Sequence, residues 1–139
     1  CGNMGDDKTC QETGTDNPGE QRPEDLDTLL STNNCVSCDL SNWRLKQMDL
    51  SHSNLSNANL ANTDLFKTNL SYAILENTNL SGTNLTDAFM VYSNLTNANL
   101  TNADLTNANL SFSNLTGAKL DGAILDNTKL TGVIGIDGN

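Results

Sequence analysis

The segment ANLANTDLFKTNLSYAIL, residues 58–75, places Leu60, Leu65, Leu70 and Leu75 five residues apart. Followed in both directions, the same period runs from position 40 to position 130 and returns eighteen leucines and one methionine, Met90. Two residues before sixteen of these nineteen positions stands an Ala, Thr or Ser: eight alanines, five threonines and three serines. The other three occupants of that slot are Cys38, Trp43 and Met48, all at the start. Asn or Asp usually precedes the leucine, and Ser or Thr usually follows it.

An apolar period of five fits neither the 3.6-residue helix nor the two-residue strand. It fits a chain that turns a square corner every five residues, with four repeats to a coil of twenty. The Leu and the small residue then both point inward. The pattern in Ala58-Asn59-Leu60, Ala103-Asp104-Leu105 and Ala108-Asn109-Leu110 resembles the pentapeptide-repeat family. The resemblance implies an all-β fold, a right-handed quadrilateral β-solenoid of about five coils of four repeats each. It implies a shape and not a chemistry, because the family shares architecture across different functions.

At 139 residues one folded domain is expected, with the solenoid over 38–139. The formal charge of −10 is unevenly spread. Residues 1–37 hold eight acidic and two basic side chains, a net of −6; residues 38–139 hold nine and five, a net of −4. A mildly acidic solenoid has no basic patch with which to bind nucleic acid. No apolar run is long enough to cross a bilayer as a helix.

Cys1-Gly2-Asn3 resembles the mature start of a bacterial lipoprotein, which implies lipidation at Cys1 and, with Gly2 in the second position, the outer membrane. An arbitrary cut or a Cys1–Cys10 disulfide are the competing readings. Residues 1–22 are polar apart from Met4 and read as a flexible linker. A capping helix is expected over 23–34: Pro23 suits its first turn, and Glu24, Asp25 and Asp27 suit its positive end. Leu26, Leu29 and Leu30 would form its buried face, lying over Trp43 and Met48 in the first coil. Such a cap protects a strand edge that would otherwise invite aggregation.

Cys35-Val-Ser-Cys38 has too few companion ligands for zinc and lacks the βαβ context of a redox motif. A disulfide pinning the cap to the first coil is the favoured reading, with a pair of buried thiols the alternative. At the other end Gly135 stands where Leu is due, and no closing helix follows. Val133, Ile134 and Ile136 therefore mark a surface for a dimer or an end-to-end stack, which the family resemblance also implies.

Nothing in the sequence assembles a catalytic constellation: one His, no phosphate loop and no paired carboxylates at a regular offset. No enzyme activity, cofactor or metal is expected. The eight Asn-Leu-Ser/Thr tripeptides follow automatically from the repeat and carry little weight as glycosylation sites. Counting by twenties does single out one outward column, His52, Tyr72, Tyr92 and Phe112. Phe89 and Val91 lead into that corner; Ile74 and Ile134 leave it. Two readings stay open: a binding face, or a stacked ladder that stabilises the solenoid itself.

The leading functional expectation is a non-enzymatic envelope or secreted scaffold that meets a protein or glycan through this column. A self-assembling subunit stacked through the C-terminal coil is the second. A cytoplasmic DNA mimic protecting gyrase, which the family resemblance brings in, sits poorly with the weak solenoid charge.

Overall fold

The structure is a computed structural model and describes residues 24–136. The readings that rest on Cys1, Gly2, Met4, Cys10, Pro23 and the linker 1–22 lie outside these residues. Helix α1 spans Glu24–Thr32, with its three acids in the first turn, where they face the positive end of the helix dipole. Asn33 ends it in the left-handed region (φ 60°), its N–H donating to the Leu29 carbonyl at 2.8 Å.

From Asn34 onward the chain is one ladder. Parallel bridges join residue i to residue i+20 without a slip, from Asn34↔Asn54 to Asn114↔Ile134. On each side the leucine N–H donates down to the next coil and the next coil donates back. Leu40 N–H reaches the Asn59 carbonyl and Asn59 N–H reaches the Cys38 carbonyl, both at 2.8 Å. The expected boundaries 23–34 and 38–139 shift accordingly. The helix stops at Thr32, and Asn34 and Cys35 already belong to the solenoid. Cys35 takes the inward position five residues before Leu40 and is 1% exposed.

The repeat is explained by what each slot must do. The leucines fill the core and are fully buried through Leu100. Where the small inner slot holds Thr, its hydroxyl donates to a carbonyl: Thr63 to Leu40 and Thr78 to Leu55 of the preceding coil, at 2.8 and 2.7 Å, and Thr83 to Leu80 of its own, at 2.8 Å. The Asn before a leucine accepts from the backbone N–H and hydroxyl of the Ser or Thr after it. For Asn94 and Thr96 these bonds are 3.1 and 2.6 Å. All eight sequon asparagines are engaged in this local turn.

At the top of the solenoid Leu26 and Leu29 join Trp43 and Met48 in the continuous core, with Leu30 half-buried beside it. Asp25 ties the helix down through its carboxylate and packs its carbonyl on the disulfide. Its Oδ2 accepts from Asp39 N–H at 2.8 Å, and its carbonyl lies 3.2 Å from Cys35 Sγ. Cys35 and Cys38 form a disulfide across the first corner. At the bottom the core opens, since Leu115 is 3% exposed but Leu125 and Leu130 are each 37% exposed. Gly135 breaks the leucine series for a steric reason: a Cβ there would run into the Thr116 backbone.

Candidate interaction surface

Every corner places the residue two after the leucine in the left-handed region, with φ between 58° and 74° from Ser37 to Gly132. Among L-residues Asn, Asp and His take this conformation more readily than the rest, and Gly takes it freely. Three of the four corner columns fit that rule in most coils. One corner runs Asn42, Asn62, Gly82, Asn102 and Gly122; another ends Asn57, Asn77, Asn97 and Gly117. The third, with Gln47 and Lys67 at its top, settles into Asp87, Asn107 and Asn127.

The fourth column departs from it at Tyr72, Tyr92 and Phe112. His52, Tyr72, Tyr92 and Phe112 all hold φ between 61° and 65°, which is strained backbone for the two tyrosines and the phenylalanine. Their rings stack one on the next. Centroids are 5.0 Å apart for His52–Tyr72, 5.3 Å for Tyr72–Tyr92 and 5.1 Å for Tyr92–Phe112, with planes within 15° of parallel. The column ends at Gly132, over which the Phe112 ring lies.

This stack is exposed, with Tyr72, Tyr92 and Phe112 each about half open to solvent. Phe89 and Ile74 are exposed beside it, and Val91 is half-buried. Because each tyrosine ring has a neighbour on both faces, the ladder presents ring edges outward, not flat faces. It is a ridge with a 5 Å pitch and not a platform.

Charge marks the same strip. Residues 51–54, 71–74, 91–94, 111–114 and 131–134 make up this corner and the side that leaves it, and they contain no Asp, Glu, Lys or Arg. All other sides and corners carry at least one formal charge, for example Arg44, Asp64 and Asp104 on one side and Asp39 and Lys119 on another. Among the described residues no group of three or more His, Cys, Asp and Glu side chains could hold a metal ion. No helix there is long and apolar enough to cross a membrane.

Comparison with known proteins agrees with the geometry. The family profile for pentapeptide repeats matches residues 34–71, 64–102 and 93–132, which together span most of the chain. The chain belongs to the pentapeptide-repeat family. Pentapeptide-repeat proteins fold as right-handed quadrilateral β-solenoids, and solved members resemble this one. The pentapeptide-repeat protein Rfr23 from the cyanobacterium Cyanothece 51142 is 36% identical, with a TM-score of 0.61 over 78% of this chain and 91% of its own. The pentapeptide-repeat protein alr5209 from Nostoc PCC 7120 is 41% identical, with a TM-score of 0.53 over 54% of this chain and 62% of its own. No curated protein sequence matches the chain.

The register therefore brings His52, Tyr72, Tyr92 and Phe112 into one stack, with Phe89, Val91 and Ile74 on its flanks. Ile134, 58% exposed, lies at the foot of the side that leaves the corner. Val133 is half-buried at the foot of the ladder, and Ile136 is 37% exposed at the open end. Sequence reasoning missed two things: the left-handed backbone under the rings and the missing charges beside them. Both had a signal, since the slot two after each leucine is mostly Asn or Gly elsewhere and the formal charges can be sorted by side.

Proposed function

We propose that this pentapeptide-repeat protein is a non-enzymatic scaffold that works by surface contact, with the stacked corner as its docking ridge for a protein surface. The observation that carries this reading is the aromatic column in left-handed backbone. At these positions Asn or Gly would fold at lower cost, by about 1 kcal/mol or more each. Rings kept there, half-exposed and in a charge-free strip, are suited to desolvation against a partner. A sugar ring stacks on an aromatic face, and both faces of Tyr72 and Tyr92 are already covered. The arrangement therefore favours a protein over a glycan.

An exported, envelope-associated location is part of this proposal. The Cys35–Cys38 disulfide supports an oxidising compartment, where such bonds persist. Lipidation at Cys1 would hold the scaffold at a membrane through the polar segment that follows. The test is capture from an envelope extract by the wild type and by the triple variant Tyr72→Asn, Tyr92→Asn, Phe112→Asn. Asn suits the backbone of the corner, so loss of capture with the fold intact supports the ridge. Unchanged capture removes it.

A second reading has its own observation. Leu125, Leu130 and Ile136 are each 37% exposed at the open coil, so stacking through that end would cover core side chains. An Ile136→Asp variant that remains assembled at every concentration would argue against it. Protection of gyrase by DNA mimicry is the weaker candidate, because nine acidic against five basic residues over 38–139 give little of the charge of a duplex.

A further inference from the structure

We infer that the partner the ridge is built to meet is a second copy of this chain, joined side by side along the His52–Phe112 ladder. The inference rests on reading the ladder as a contact surface, and names its occupant. Three observations point to a second copy. The first is charge. The molecule carries −10 overall, so two copies repel, and contact is least costly where no charged side chain must be desolvated or set against its like. The strip formed by residues 51–54, 71–74, 91–94, 111–114 and 131–134 is such a face, and it runs the length of the solenoid.

The second is pitch. The ridge repeats every 5.0 to 5.3 Å, a spacing set by the coils beneath it. Another copy repeats at the same interval, so ring edges of one ladder can lie along those of the other without losing step. The third is symmetry. A two-fold axis passing between Tyr72 and Tyr92 sets His52 of one copy beside Phe112 of the other and gives each ring a counterpart. That is the isologous arrangement of most protein dimers.

The area is consistent with a reversible dimer. A half-exposed aromatic side chain offers about 100 Å². Tyr72, Tyr92, Phe112 and Phe89, with Ile74 and Val91, therefore supply about 500 Å² of the roughly 800 Å² per partner of a standard interface. Asn54, Asn94 and Asn114 of the same strip border this centre with uncharged side chains, and the side that holds Phe89 carries Asp49 and Lys129 only at its two ends.

Sedimentation equilibrium of the full chain, from micromolar to near-millimolar concentration, tests the inference on three proteins. The wild type should form a dimer that tightens with added salt as the repulsion between acidic bodies is screened. The Tyr72→Asn, Tyr92→Asn, Phe112→Asn variant, checked for its β circular dichroism, should weaken it by about thirty-fold or more, the ratio expected for losing one hot-spot residue. Ile136→Asp, at the open end, should leave it unchanged. A wild type monomeric throughout, or a dimer lost in Ile136→Asp but kept in the triple variant, overturns the inference. A monomeric wild type that still captures a protein which the triple variant does not would overturn self-association alone. Wild type and triple variant behaving alike in both assays would overturn the docking ridge as well.

Discussion

The ring of Phe112 occupies the space that a side chain at position 132 would need: a Cβ built on Gly132 would lie 2.5 Å from Cδ1 of Phe112. Gly132 also has φ +70°, so it is constrained twice. Gly132→Ala should destabilise the protein by about 1–2 kcal/mol in denaturant unfolding. Gly132→Asn separates the two causes, because Asn relieves the backbone cost but keeps the collision. If both variants match the wild type, the Phe112 ring does not sit where it is described.

Stability should depend on position along the axis. Leu75 is fully buried in the middle of the stack, and Leu125 is 37% exposed at its open end. Leu75→Ala should cost about 2–5 kcal/mol as a core truncation. Leu125→Ala should cost much less, because the terminal coil contacts only one neighbour. Equal losses in thermal unfolding would mean that the last coil is closed by something beyond the described residues.

One inner hydroxyl is out of place. Ser53 Oγ is buried and has no hydrogen-bond partner among the described residues, whereas Ser93 and Ser113 in the same column donate to the Met90 and Leu110 carbonyls at 2.8 and 2.7 Å. A buried unsatisfied polar group costs about 1–3 kcal/mol. Ser53→Ala should therefore leave stability unchanged or raise it, and Ser93→Ala should lower it by about 1 kcal/mol. Ala73 already stands in that column. A loss in Ser53→Ala as large as in Ser93→Ala would show that Ser53 has a partner after all.

The Cys35–Cys38 disulfide lies beneath α1, at 1% and 8% exposure. Reduction should require the helix to lift. Replacing Leu26 and Leu29 with Asp should speed reduction by dithiothreitol, read as two additional alkylated thiols by mass. Reduction at the same rate in wild type and variant would mean that α1 does not shield the bond.

The inward half of this protein was legible in its sequence because burial imposes a period. Leucine every five residues fixes which side chains enter the core and, counted by twenties, which ones share a column. The outward half was legible only as positions. Counting placed His52, Tyr72, Tyr92 and Phe112 on one corner, but whether their rings would lie flat or stack depends on the left-handed backbone. The inner threonines and the Asn–Ser/Thr pairs read as composition until their hydrogen bonds to carbonyls and turn N–H groups gave them a role. The helix boundary fell short at Thr32 because Asn33, in left-handed conformation, had to turn the chain into the first rung at Asn34.

If the stacked rings serve contact more than folding, denaturant unfolding of the Tyr72→Asn, Tyr92→Asn, Phe112→Asn variant will show it. Removing three stacks forfeits about 0.5–1.5 kcal/mol each. Replacing three rings by a residue that tolerates left-handed backbone returns a similar amount. The variant should remain a folded solenoid within about 2 kcal/mol of the wild type, by the near-cancellation of those two effects. A variant that unfolds, or loses more than about 4 kcal/mol, well beyond that cancellation, would show that the ladder holds the solenoid together and would contradict the claim.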